Sequence, residues 1–230
     1  MSIGMTHHSM AQGMQSMVSV RTWTVTEFGL GFVMWTVMMV AMMVPAAVPT
    51  TLVYAAVARK AAREEHPVAP TFVFVAGYLA VWALFSVAAT AAQALLVRLA
   101  LLSPAMVSIS PVLGSALLIG AGVYELTPYK HACLAHCRAP AHFISQRWRG
   151  GPSGAFRMGS ALGAYCLGCC WILMSLLFVG GVMNLVWIAA IAVFILLEKT
   201  VPFAERGGRV IGAAMILVGL LSLTGLVVLG

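Results

Sequence analysis

The chain has 230 residues, 62% of them hydrophobic and only 8% charged, with a formal net charge of +7. That leaves too little polar surface for a soluble domain of this size. There is no nucleic-acid footprint among the basic residues. Hydrolytic catalysis is not expected either, since the chain holds no aspartate and pairs no nucleophile with a base and an orienting acid.

Residues 1–22 are too polar to insert in a bilayer and too poor in apolar periodicity to fold alone, so they read as an extracytoplasmic tail. No basic segment or cleavage pattern precedes the first apolar run, and no removable signal peptide is expected. The tail carries Met5, His7, His8, Met10, Met14 and Met17, and thioether with imidazole is a donor set suited to capture of copper, Cu(I) in particular.

From residue 23 onward the sequence reads as one transmembrane domain. A hydrocarbon core of roughly 30 Å takes about 20 apolar residues as a helix. Uncharged runs of that kind predict helices at about 28–57, 70–97, 112–126, 158–179, 183–198 and 209–229, with Gly180-Gly181 and Asn184 dividing the long fourth run into a hairpin. Gly159 and Gly163 form a small-x-x-x-small pair suited to close helix contact. The expected fold is therefore an all-α, polytopic helical bundle of six spans. Arg21 and Arg98 then fall on one side, and Arg59, Lys60, Arg63, Lys130, Arg138, Arg147, Arg149, Arg157, Lys199, Arg206 and Arg209 on the other. Since Lys and Arg concentrate in cytoplasmic loops, both termini should face outward, in a bacterial inner membrane.

Within the first span, Met34, Met38 and Met42 recur every four residues, and Met39 with Met43 continues beside them. Such a ladder offers soft ligands across a membrane without a buried charge, although methionine also packs well between helices for its own sake. Pro45 and Pro49 remove backbone donors in the same helix.

The connection at about 127–157 is the most chemically loaded segment. It carries Cys133, His136 and Cys137, then a mixed aromatic and basic stretch from His142 to Arg149 that suits a short helix lying in the interface. The other cysteines, Cys166, Cys169 and Cys170, lie in the fourth span with Met174 one turn on. Spacings of three and four put each set on one helix face. Each cluster is half a site, and thiolates with one imidazole suit Cu(I), zinc or an iron-sulfur centre. Thiol is also a small apolar side chain tolerated in membrane helices. Glu125 and Glu198, with Lys130 and Lys199 beside them, read as interfacial ion pairs or as groups supporting the ligands from behind.

Depth connects these features. The first span enters from outside and the fourth from inside, which brings Met42 and Met43 to about the level of Cys169, Cys170 and Met174 at about 1.5 Å of rise per residue. Tail, methionine ladder, intramembrane cysteines and the Cys133/His136/Cys137 loop thus form a candidate relay for a soft metal.

The stretches MWTVMMVAMMVP (Met34 to Pro45), YELTPYKHACLAHCRAP (Tyr124 to Pro140), YCLGCCWILM (Tyr165 to Met174), GVMNLVW (Gly181 to Trp187) and the Glu198-Lys199 pair together resemble a bacterial family of unknown function described as predicted metal-binding integral membrane proteins. The resemblance spans Met34 to Pro202 and implies metal binding at Cys133, Cys137, Cys166, Cys169 and Cys170. In ligand logic alone, the methionine spacing and Met/His tail are similar to eukaryotic copper importers. The expected function is binding of a soft metal, Cu(I), for transport or delivery in the membrane. The alternatives are an accessory or assembly subunit of a membrane copper oxidase or monooxygenase, and a thiol-based membrane redox protein. Expected partners are the lipid bilayer, the metal ion, another membrane complex or a copper chaperone, and further copies of the chain.

Overall fold

The structure is a computed structural model that describes residues 23–64, 69–102, 110–201 and 204–224, with side chains described outside 204–206. Every regular element in that set is a helix: α1 (Val25–Arg63), α2 (Thr71–Arg98), α3 (Pro111–Glu125), α4 (Pro128–Arg138), α5 (Pro140–Arg147), α6 (Gly151–Ser175), α7 (Leu177–Gly180), α8 (Leu185–Thr200) and α9 (Ala204–Leu223). The Met/His-rich tail with Met5, His7, His8, Met10, Met14 and Met17 lies outside the described residues.

Helix starts are fixed by local chemistry. Thr24 caps α1 reciprocally with Glu27: the Glu27 amide donates to the Thr24 hydroxyl at 3.2 Å, and the Thr24 amide donates to the Glu27 carboxylate at 2.9 Å. Ser110, Thr127 and Asn184 cap α3, α4 and α8 through side-chain oxygens, and proline opens α3 and α4, where its missing N–H has no helical partner to lose. α1 continues through Pro45 and Pro49 without a break in assignment.

The expected helices at 28–57, 70–97, 112–126, 183–198 and 209–229 correspond to α1, α2, α3, α8 and α9. The connection at 127–157 differs more. It is largely helical, as α4, α5 and the first turns of α6, and α6 begins at Gly151 rather than near residue 158. Gly150 adopts an extended N-cap conformation and Pro152 sits in the first turn, so residues that resemble a flexible release open a helix instead. At the far end the chain turns at Gly181, whose φ of +91° lies in a region that favours glycine.

Two pairs of helices approach at backbone distance. A Cβ on Gly159 would overlap the Phe74 carbonyl and one on Gly77 would overlap that of Phe156, so α2 and α6 meet through the glycine stripe expected from Gly159 and Gly163. Gly122 of α3 fits equally closely against Gly212 of α9. The buried centre is built from Trp35, Met39, Met43, Tyr54, Phe74, Tyr78, Trp82, Met158, Leu162 and Leu173. Outward faces remain apolar, with Leu30, Leu84, Leu185 and Val186 all exposed. Three helical stretches, Val25–Arg63, Thr71–Arg98 and Gly151–Gly180, are long and apolar enough to cross a membrane, and Pro111–Glu125 and Gly207–Leu223 are shorter apolar helices.

Candidate functional site

α4 packs against the C-terminal half of α6, with Cys133 against Gly168, and this brings the two cysteine clusters together. On α6, spacings of three and four turn Cys166, Cys169 and Cys170 inward, each about 1–2% exposed. Cys169 and Cys170 both donate to the Cys166 carbonyl oxygen, at 3.1 and 2.9 Å. On α4, Cys137 is half-buried and packs against the same core. Thiols of the two helices thus form one row across the contact. Cys133, one turn before Cys137, rests on Gly168: a Cβ there would lie 2.8 Å from its sulfur. All five cysteines are free thiols.

Burial acts on the two thiols of α4. The Cys137 thiol is held well above its ordinary pKa, first because it donates to Cys169 and then by loss of hydration. Cys133 is raised mainly by burial, with the neighbouring Cys169 adding to the effect.

Charged groups surround this sulfur row. Lys199 Nζ lies 2.8 Å from Cys166 Sγ. The Tyr78 hydroxyl sits 3.1 Å from the same sulfur and donates to the Met43 carbonyl oxygen at 3.0 Å, joining α1, α2 and α6 at one point. Lys130 of α4 is held between two carboxylates. It pairs with Glu125 and donates to both oxygens of Glu198 at 2.8 and 2.7 Å. These four groups are buried, Glu125 and Lys130 at 1% exposure, Glu198 at 4% and Lys199 at 7%. The neighbour pairing therefore holds for Glu125 with Lys130 but not for Glu198 with Lys199: Glu198 shares Lys130, and Lys199 turns to sulfur. None of the four reaches for the surface as a snorkelling anchor would.

His136 stacks flat on Tyr165, with ring centroids 4.1 Å apart and planes 2° from parallel, and its Nδ1 lies 2.9 Å from the Ala132 carbonyl oxygen. Arg147 covers the other end of that tyrosine, donating to its hydroxyl at 2.5 Å. On α1, Met39, Met42 and Met43 are buried, while Met34 and Met38 are partly exposed and pack against the core. Met174 is buried on α6.

Sequence reading missed the tyrosines and Arg138. Tyr165 and Tyr124 adjoin Cys166 and Glu125 in the motifs, and Tyr124 donates to the Gly168 carbonyl oxygen. Arg138 follows Cys137 directly and donates from Nε to the Glu198 carbonyl oxygen at 2.7 Å. Tyr78, a lone hydroxyl in an apolar run, gave no signal beyond its polarity.

Chemically, the arrangement gathers soft donors from two helices beside a buried ammonium. Among the described residues no group of three or more His, Cys, Asp or Glu is set to hold a metal ion.

Residues 32–222 match the sequence model of the PpoB2 family, which is described as a copper chaperone. That stretch encloses both cysteine clusters, the buried methionines of α1 and the Glu198-Lys199 pair, and the family's description agrees with the expectation of copper. No curated protein and no solved structure matches the chain.

Proposed function

The chain belongs to the PpoB2 copper-chaperone family, and from that premise we propose that it is a membrane-embedded chaperone that holds Cu(I) as cargo on the thiols shared by α4 and α6 and hands it to a protein partner. The observation that carries this reading is the packing of α4 on α6, where the Cys133 sulfur lies against Gly168, between Cys166 and Cys169 in the chain.

That the described residues gather no group of three or more His, Cys, Asp or Glu ligands favours Cu(I) over the alternatives. A monovalent d10 cation is satisfied by two soft thiolates, whereas structural zinc takes four ligands and an iron-sulfur cluster is held by four cysteines. Cys137 lies at the partly exposed rim and Cys169 in the interior, so the two ends of this pair differ in access. The cargo enters or leaves at Cys137 and rests further in, on Cys169, Cys170 or Cys166. Buried Met39, Met42 and Met43 supply thioethers along α1, and the tail with His7 and His8 would gather copper outside.

The membrane setting is supported by the long apolar helices and by the apolar faces they leave exposed. On the charge distribution, six spans place both termini outside and the α4–α5 connection in the cytoplasm, so the thiol row opens toward the reducing side, where thiols persist. An accessory-subunit role differs in requiring a membrane oxidase or monooxygenase partner for any effect on copper.

Competition for Cu(I) against a chromophoric chelator tests the pair. Cys137→Ser, Cys169→Ser and the double variant should each lose roughly the same affinity, because either single change removes the shared site and the effects are not additive. Affinity equal to wild type in all three variants would refute the assignment.

A further inference from the structure

The Glu198-Lys199 dipeptide touches both halves of the thiol row at once. Successive residues of a helix point about 100° apart, so two neighbours at the end of α8 can reach two different helices. Glu198 reaches α4 twice: its carboxylate receives Lys130 at 2.8 and 2.7 Å, and its backbone carbonyl receives Arg138 at 2.7 Å. Lys130 and Arg138 bracket Cys133 and Cys137 in sequence, so Glu198 pins the cysteine helix at both ends. Lys199 faces the other way, with Nζ 2.8 Å from Cys166 Sγ on α6. Glu125 adds a second carboxylate to Lys130 from α3. Gly208 of α9 leaves the space that the Glu198 carboxylate fills, since a Cβ there would lie 2.6 Å from Oε1.

We infer that Glu198 and Lys199 are the positioning residues that assemble the copper site, Glu198 by clamping α4 to the end of α8 and Lys199 by fixing Cys166 of α6 to the same helix. This rests on the copper reading above. Four charges at 1–7% exposure are costly to keep in an apolar bundle, and general packing would be served more cheaply by apolar side chains. Their use here is directional: one residue sets where Cys133 and Cys137 sit, and the next sets Cys166.

The test separates the clamp from the copper reading by measuring thiol exposure as well as affinity. Alkylation of Cys133 and Cys137 by a maleimide is followed by mass spectrometry on detergent-purified, metal-free protein. Cu(I) affinity is measured by chelator competition on the same samples. Glu198→Gln and Lys130→Met should each speed alkylation of the α4 thiols and lower Cu(I) affinity by roughly 10- to 100-fold, the usual cost of losing a group that orients metal ligands. Their double variant should be no worse than either single, and Lys130→Arg should restore most of the protection, which a general loss of folding would not do. Lys199→Met should weaken Cu(I) binding by a comparable factor while leaving Cys133 and Cys137 protected. Wild-type alkylation rates in Glu198→Gln and Lys130→Met would overturn the clamp, and so would a Lys199→Met variant that unmasks the α4 thiols. A wild-type protein that binds no Cu(I) yet still shows the alkylation pattern would refute the copper reading and leave the clamp standing.

Discussion

Gly168 has no side chain, and Cys133 uses the space. A methyl group there would meet the Cys133 sulfur at 2.8 Å, so Gly168→Ala must push α4 outward or turn the thiol away; overpacking of this kind costs about 1–3 kcal/mol. The expected result is a lower thermal midpoint in detergent together with weaker Cu(I) binding, and an unchanged affinity would argue that Cys133 is not part of the site. Tyr78→Phe is milder. It removes the hydroxyl that joins the Met43 carbonyl to Cys166, and polar contacts between membrane helices are worth about 0.6 kcal/mol on average and 1.7 at most. A small loss of stability is expected, measured as a shift in the same midpoint. The cysteines were legible in the sequence because their spacing matches a helix face. Tyr78 and the turn of Lys199 toward Cys166 were not, because they depend on contacts across 88 and 33 positions that no local pattern encodes.

Helices α1, α2 and α6 carry the frame in which those residues act. α2 and α6 touch through Gly77 and Gly159, where a Cβ would overlap facing backbone carbonyls. Gly159→Ala should therefore separate the two helices and reduce the yield of folded protein, as read by gel filtration. On α1 the contrast is between structure and cargo. Replacing Met39, Met42 and Met43 together by leucine keeps volume and apolarity, at a cost usually below about 1.5 kcal/mol per site. The folded yield should hold while the copper content of membranes from expressing cells falls; unchanged copper content would reduce these methionines to packing. The apolar helices and their approximate bounds were readable from uncharged runs, whereas α4 and the short α7 were not. The start of α6 was misplaced because Gly150, Gly151 and Pro152 serve equally as loop signals and as a helix opening.

At the scale of the whole molecule, chemistry is concentrated at one end of the bundle. Glu125 at the end of α3, Lys130 and the cysteines of α4, Cys166 and Gly168 of α6, and Glu198 with Lys199 at the end of α8 converge there. On the proposed topology that end faces the cytoplasm, and a fusion of alkaline phosphatase after Gly230 should be active while one within residues 148–150 should be silent. The reverse pattern would invert the direction in which copper is handled. The most direct test of the central claim is elemental analysis of detergent-purified wild type and of a variant carrying Cys166→Ser, Cys169→Ser and Cys170→Ser. The account predicts near-stoichiometric copper in the wild type and its loss in the variant; bound zinc, or copper retained without these thiols, would contradict it.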